Sequence, residues 1–575
     1  MAQYSQRTQP MHSLGSVEIH NSSIKRRTIT IKEVLNDYTK NSNLHGLRYI
    51  GEKERTLLEK LFWTFTFIFC VVLCGFQIFK VYTKWDDTPV IVTFAETTTP
   101  VWEIPYPAVT FCFETKSRQT IFNFTKYFHL YNNNTGAPHS NITEDEVEMF
   151  EDLCLVCDAA WCPKDGRKVS NGTVTVENIK SVAPNLTEMF YGCKWQNTLY
   201  QNCSSMFSPI LTEEGLCYTF NMLRAEDLFR VENLHTEYPY LEFNPDVLMS
   251  PNLTWSLGSG FEPDAPMETY PLRGSGFGAK SGIAFVMKTK EIDQDFLCKG
   301  LVQGFKILLH NPAELPRLSQ QFFRSPLSKE IVVSIKPKMM TTSEGLRAYS
   351  PERRQCYFPN ERYLRYFKVY TQFNCEMECL ANFTNTMCGC VHFGMPHSAD
   401  IPVCNAGSIE CVTRAQVELS VNDIKEGLHL EEAEGNDTLP AARQRATQCH
   451  CLPACNSIEY DAEMSQADYD WRAIYQAYDY PVPEEEKDML CARVSVYFKE
   501  PQFMTSRRSE LFGPTDFLAN CGGLLGLFMG FSILSVVEIV YFFSLRILCA
   551  IWRRRKEVPH ADEVVLNKHV QLQVD

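Results

Sequence analysis

The run from Phe517 to Leu545 carries the groups best suited to handling a cation. Four glycines, Gly522, Gly523, Gly526 and Gly530, punctuate it. Gly522, Gly526 and Gly530 recur every four residues and so share one helix face. Phe531 and Ser532 follow, and Ser532, Ser535 and Glu538 are spaced by three, a drift of about 60° per step around a helix. Glu538 is the one ionised side chain of the run. Glycine frees backbone carbonyls and lets a helix break where it lines a water-filled cavity. Rings of carbonyls or carboxylates are the usual oxygen donors of cation filters, and a carboxylate in an apolar span is costly enough to be a functional candidate. Two other readings stay open: the glycine ladder also suits close helix packing, and Glu538 also suits a snorkelling group or the partner of a cation near the inner end. One such helix cannot enclose a pore, so the cation reading requires a ring of identical or related subunits.

Catalytic patterns are missing. There is no H-E-x-x-H, G-x-S-x-G or P-loop, and Gly274-Ser-Gly-Phe-Gly278 lacks both a strand–helix context and a following Lys-Ser/Thr, so it is expected as a loop. The chain is not expected to be an enzyme or to need a cofactor.

The elements that must position these residues begin with two apolar segments. Leu61 to Phe79 has no charged residue, and Phe517 to Leu545 has one. Roughly 20 apolar residues span a bilayer core as a helix, so both are long enough. About sixty polar residues precede the first, which therefore reads as a retained signal anchor rather than a cleaved leader. Arg48, Lys53, Arg55 and Lys60 precede the first span, and Arg546 and Arg553 to Lys556 follow the second. The positive-inside rule then places both ends in the cytoplasm. The divisions expected are a cytoplasmic region 1–60, a first transmembrane helix 61–82, an extracellular domain 83–512, a pore-lining second helix 513–545 and a cytoplasmic tail 546–575. Of the net charge of −14, residues 1–60 contribute +4 and 546–575 contribute +2, which leaves −20 for 61–545. So acidic a middle does not suit nucleic acid; it suits the concentration of cations near a pore mouth.

Nineteen of the 23 cysteines lie between Cys112 and Cys491. In an oxidising compartment they read as disulfides; zinc is the alternative reading of the close pairs Cys154/Cys157, Cys388/Cys390 and Cys449/Cys451. Nineteen is odd, so at least one is free or pairs between chains, and Cys70, Cys74, Cys521 and Cys549, in or beside the spans, are expected as thiols. Glycosylation sequons at Asn123, Asn133, Asn141, Asn171, Asn185, Asn202, Asn252, Asn382 and Asn436 all fall in the same middle segment. Asn21 also matches but falls on the cytoplasmic side. Thr28 to Tyr38, Glu144 to Asp152 and Leu364 to Leu380 read as helical, and Ile331 to Ile335 and Ala492 to Phe498 as strands. The acidic run Glu144 to Asp152 reads as a solvated helix face. The fold expected is a membrane protein with two transmembrane helices and a large disulfide-rich α+β outer domain.

Several motifs together resemble the degenerin/epithelial sodium channel family, and within it the insect pickpocket branch, from His45 to Ser544. They are His45-Gly46 before the first span, Tyr106-Pro-Ala-Val-Thr-Phe-Cys112, Gln372-Phe-Asn-Cys375-x-x-Glu-Cys379-Leu, Cys388-Gly-Cys390 with Phe393-Gly-Met-Pro396, Cys449-His-Cys451-Leu-Pro-Ala-Cys455, and Asn520-Cys-Gly-Gly-Leu-Leu-Gly526 with Gly530-Phe-Ser532. The resemblance implies a homo- or heterotrimer at the plasma membrane with the second spans around a central pore. It implies Na⁺ as permeant ion over K⁺, with Gly530, Phe531 and Ser532 as filter, His45 and Gly46 as an inner gating motif, and Ala519 at the position where bulky residues hold such channels open. Amiloride-type blockers are expected to act near there. It further implies the pairs Cys112–Cys217, Cys193–Cys203, Cys356–Cys455, Cys375–Cys451, Cys379–Cys449, Cys388–Cys411 and Cys390–Cys404, and leaves Cys154, Cys157, Cys162, Cys298 and Cys491 unassigned. The sequence departs from the family at Cys521 and at Phe531, which is larger than the usual middle residue of the filter, so the carbonyls would do the selecting. Arg553 to Lys556 is expected to meet anionic lipid. A non-conducting two-span receptor or regulatory subunit is the competing reading; it would not need the glycine ladder.

Overall fold

A computed structural model describes residues 31–549 and 552, apart from 88–89, 134–141, 158–161, 163–171, 236–251, 428–448 and 512. It divides into two units, residues 1–89 with 512–575, and residues 90–511.

In the first unit, Leu57–Asp87 is a single helix of 31 residues, the one unbroken helix among the described residues that is long and apolar enough to cross a membrane. At 1.5 Å per residue it is about 46 Å long. The Thr64 and Thr66 hydroxyls donate back to the carbonyls of Lys60 and Phe62 at 2.7 and 2.9 Å, so neither leaves an unmet polar group on the apolar surface. Pro514–Met529 and Ile533–Cys549 pass the same test only as a pair, bent by 70°. The expected continuous second helix is thus two helices, for reasons set by Gly530 and Ser532.

The second unit mixes sheets and helices. Its larger sheet has eight strands. Val90–Phe94, Ser506–Glu510, Lys329–Thr342, Met489–Phe498, Ile283–Lys290, Phe190–Trp195 and Thr198–Tyr200 lie in that order, and Ser457–Asp468 pairs with Lys329–Thr342. The smaller sheet runs Phe323–Ser325, Phe305–His310, Ala108–Phe113, Gly215–Phe220 and Ser208–Thr212. Ala108–Phe113 is buried on both faces, apolar but for Thr110, whose hydroxyl bonds to Thr219 at 2.9 Å. The two sheets share one core, in which Phe111 of the smaller meets Phe285 of the larger at 5.8 Å between ring centroids. Tyr106 is fully buried, and its hydroxyl donates to the Val496 carbonyl at 2.7 Å. The loop at Gly274 crosses Phe498 so closely that a Cβ there would stand 2.7 Å from the ring, which fixes glycine at that position.

Helices cover a second core. Thr143 and Glu146 form a capping box that starts Glu144–Leu153. Leu364 to Leu380 was expected to be one helix, but the helix begins only at Gln372. Thr371 caps it, its hydroxyl accepting from the Asn374 N–H at 3.1 Å. The residues before it are drawn into pairing with a distant segment, with Arg230 N–H donating to the Tyr366 carbonyl and Lys368 N–H to that of Leu228, both at 2.8 Å.

Among the described residues there are nine disulfides. Seven join Cys112–Cys217, Cys193–Cys203, Cys356–Cys455, Cys375–Cys451, Cys379–Cys449, Cys388–Cys411 and Cys390–Cys404. The other two, Cys154–Cys162 and Cys157–Cys298, take up four of the cysteines that the sequence left unassigned. Cys491, buried in the strand Met489–Phe498, is the odd thiol, and Cys70, Cys74, Cys521 and Cys549 are also free. The close cysteine pairs offered to zinc are therefore all in disulfides.

Candidate functional site

The bend in the second apolar segment is built by two caps placed back to back. Pro514 opens the outer half-helix at its first turn, and the Asp516 carboxylate accepts from the Gly513 N–H at 3.1 Å. The helix ends at Gly530, which adopts φ +66°, a conformation that costs glycine little. The Gly530 N–H donates to the Gly526 carbonyl at 2.9 Å and the Phe531 N–H to that of Leu525 at 3.2 Å. Ser532 then caps the inner half-helix Ile533–Val540. Its N–H donates to the Ser535 hydroxyl at 3.1 Å, and its own hydroxyl accepts from the Ser535 N–H at 3.4 Å. The backbone at 530–532 thereby leaves the helical ladder, and the last carbonyls of the outer half-helix have no partner within it.

This changes the reading of the serine stripe. Ser532 is at the break and exposed, Ser535 is buried one turn later, and Glu538 is half-buried on the inner half-helix. Ser532 and Ser535 serve each other's backbone as a cap, a role that the Ser-x-x-Ser spacing two residues after Gly530 signals.

The second finding is what meets the break. The His45 N–H donates to the Met529 carbonyl at 3.0 Å. A Cβ added to Gly530 would stand 2.8–2.9 Å from atoms of the His45 imidazole. Gly46 adopts φ +85° and starts the short helix Leu47–Gly51, whose Tyr49 stacks on Trp63 at 4.5 Å. Two motifs singled out at opposite ends of the sequence, His45-Gly46 and Gly530-Phe531-Ser532, are thus in contact. The preceding helix, Ile31–Asn41, reaches the inner end of the same segment. Tyr38 packs against Phe542 and Phe543 at 5.5 and 5.8 Å, and Asp37 pairs with Arg546 at 2.8 Å. The chain forms a π-turn there, Tyr541–Leu545, a local distortion often found at functional positions.

The glycine ladder faces open space in the single chain. A Cβ on Gly522 or Gly523 would meet nothing within 4 Å, and one on Gly526 only the Phe531 carbonyl at 3.9 Å. Ala519 is exposed. Packing on the first helix comes instead through Phe517, whose ring lies 5.5 Å from that of Trp85. Asn185, Asn202, Asn252 and Asn382 are exposed and Asn123 is half-buried, whereas Asn141, Asn171, Asn436, the side chain of Asn133 and the Arg553 to Lys556 cluster lie outside the described residues. Among the described residues no group of three or more His, Cys, Asp or Glu side chains is placed to hold a metal ion.

Residues 38–542 match the family model described as amiloride-sensitive sodium channel. The chain belongs to the amiloride-sensitive sodium channel family. Pickpocket protein 28 of Drosophila melanogaster is 29% identical over 535 residues, covering 90% of this chain and 80% of that protein. Sodium channel protein Nach of the same organism is 22% identical over 527 residues, covering 89% and 87%. Acid-sensing ion channel 4-B of Danio rerio is 22% identical over 517 residues, covering 88% and 75%. The family is one of cation channels at the plasma membrane rather than of enzymes, in keeping with the absence of catalytic patterns from the sequence.

Proposed function

We propose that this chain is one subunit of a sodium-selective, amiloride-sensitive, non-voltage-gated cation channel opened by an extracellular stimulus, chemical, osmotic or mechanical. Three such chains, identical or related, surround a pore, with both termini of each in the cytoplasm and residues 83–512 outside the cell. The observation that carries the reading is the break at Gly530 to Ser532, held from below by His45. It exposes backbone carbonyls in the middle of an apolar segment, where they are tolerated only beside protein or water. The open faces of Gly522, Gly523 and Gly526 suit the approach of neighbouring copies around a pore. Gly530, Phe531 and Ser532 are the filter in this reading, and Ser535 and Glu538 follow it on the inner half-helix. The acidic outer segment raises the local concentration of Na⁺, and Arg553 to Lys556 rests on anionic inner-leaflet lipid.

The test is electrical. Cells expressing the chain, alone or with related subunits, should carry an inward Na⁺ current that amiloride-type blockers reduce. Ala519→Val should leave that current on without a stimulus; surface-expressed Ala519→Val with no current in any combination would sink the pore assignment and favour the non-conducting alternative.

A further inference from the structure

Away from the membrane unit, the smaller sheet holds a charge cluster that does not balance. The Glu214 carboxylate, in the tight turn between Ser208–Thr212 and Gly215–Phe220, receives three ammonium groups. Lys306 reaches one of its oxygens at 2.6 Å, and Lys116 and Lys299 reach the other at 3.0 and 3.4 Å. The side chains of Lys116, Glu214 and Lys306 are 5, 8 and 9% exposed. The other acid whose charge acts on Lys116, Glu114, is already held by Arg324 at 3.1 Å, and Glu214 also acts on His392, which bonds to the Leu155 backbone. Three cations against one anion leave a formal excess of two positive charges, with Lys116 and Lys306 desolvated and Lys299 24% exposed. Buried charges left without a counter-charge are among the most expensive groups a protein can hold.

The three ammonium groups are not equivalent. Lys306 also lies over the Phe322 ring at 4.8 Å, and Lys299 also donates to the Val156 carbonyl at 3.4 Å. The Lys116 nitrogen is fully covered and makes no well-directed hydrogen bond. Burial, eased by Glu214 and aggravated by Lys299, brings its ammonium down to about 8. Beside it is a small void of about 10 Å³, walled by Phe113, Val156, Ile179 and Ala183, with Lys116 and Glu214 at its polar end. Gly215, at φ +94°, helps keep the void, because a Cβ there would press to 3.2 Å from Val156. Such a volume admits about one water-sized sphere, which also suits a monatomic anion and excludes sulfate, phosphate or a carboxylate.

We propose that Lys116, in the field of Lys299 and Lys306 behind Glu214, binds a single monovalent anion of halide size, chloride under ordinary conditions, in this void. The anion supplies part of the missing negative charge and gives the Lys116 ammonium a second partner beside Glu214. It ties the chain after Ala108–Phe113 to the Glu214 turn, and so acts on the packing of the outer domain. This site does not depend on the channel reading; it stands or falls on binding and stability alone.

The experiment compares thermal unfolding of the purified full chain in sodium chloride, sodium bromide and sodium methanesulfonate at equal ionic strength. Wild type should melt about 2 °C or more higher in chloride and bromide than in methanesulfonate, with a gap that saturates with halide concentration. Lys116→Met keeps the stem and removes the charge, and should close the gap. Glu214→Gln removes the competing anion and should widen it, and this variant decides the question if Lys116→Met fails to fold. No gap in wild type, or the same gap in wild type and Glu214→Gln, would overturn the site and leave the cluster a network of ion pairs.

Discussion

Between Val90 and Leu511 the chain closes on itself. Nine disulfides, two sheets with a shared aromatic core and a helical layer with a core of its own leave most large apolar side chains covered. In the other unit the reverse holds. Phe65, Val72, Phe79, Leu527, Ile533 and Leu534 are all more than 60% exposed, Gly522 and Gly523 face open space, and no disulfide is formed there among the described residues. The outer domain carries its stability in its own covalent and apolar chemistry. The other unit leaves apolar surfaces open, which in the proposed channel are covered by lipid and by further copies of a subunit.

The comparison breaks most easily at the disulfides. Replacing Cys157 and Cys298 by serine, which reopens a link between residues 141 apart, should cost about 2–5 kcal/mol and sharply reduce the fraction of chains reaching the cell surface. Cys70→Ala with Cys549→Ala should leave that fraction unchanged; equal losses from both changes would erase the contrast.

Next in size is Gly530→Ala. It places a Cβ against His45 and forces a left-handed backbone on a non-glycine residue, at about 1–3 kcal/mol. Current should fall at least tenfold while surface delivery holds, and His45→Ala should recover part of it because the two positions are in contact. Additive losses in the double variant would mean that the contact does not matter.

Ser532→Ala removes a cap worth about 0.5–2 kcal/mol at the break, the proposed filter. Its readout is the Na⁺/Li⁺/K⁺ permeability ratio, and an unchanged reversal potential in a working variant would remove Ser532 from the filter.

The last prediction concerns the outer domain. Desolvation, together with Glu459 and Glu376, holds the Glu314 carboxyl up at about 8, against an ordinary 4.5. The folded state therefore keeps a proton that the unfolded chain gives up, so this group's contribution is fully present below pH 4.5 and is lost as pH rises towards 8. Glu314→Gln should flatten the fall in stability across that window; an unaltered pH profile would show that Glu314 is not titrating there.

What was legible in the sequence tracks how local its cause is. Ala492 to Phe498 announces a strand through its own alternation, and the second apolar run announces a break through Gly530. Leu364 to Thr371 has the spacing of a helix but loses it to pairing partners more than 130 residues away, at Leu228 and Arg230. Cys154 and Cys157 look like a pair, yet each takes another partner, because spacing in sequence says nothing about which sulfurs the fold brings together. The contact of His45 with Gly530, and the meeting of Lys116, Glu214, Lys299 and Lys306, are likewise products of the folded chain, and no window of sequence contains them.

The hydrogen bond from His45 to Met529 has a consequence for how this chain can be handled. In an unbroken helix the Met529 carbonyl would be satisfied four residues on; here its donor comes from a stretch made hundreds of residues earlier. The bend is therefore completed by the amino-terminal arm rather than by the segment that contains it. A tag, truncation or modification that pulls on residues near His45 acts as a remote adjustment of the bend at Gly530, although nothing in the second segment itself has been altered.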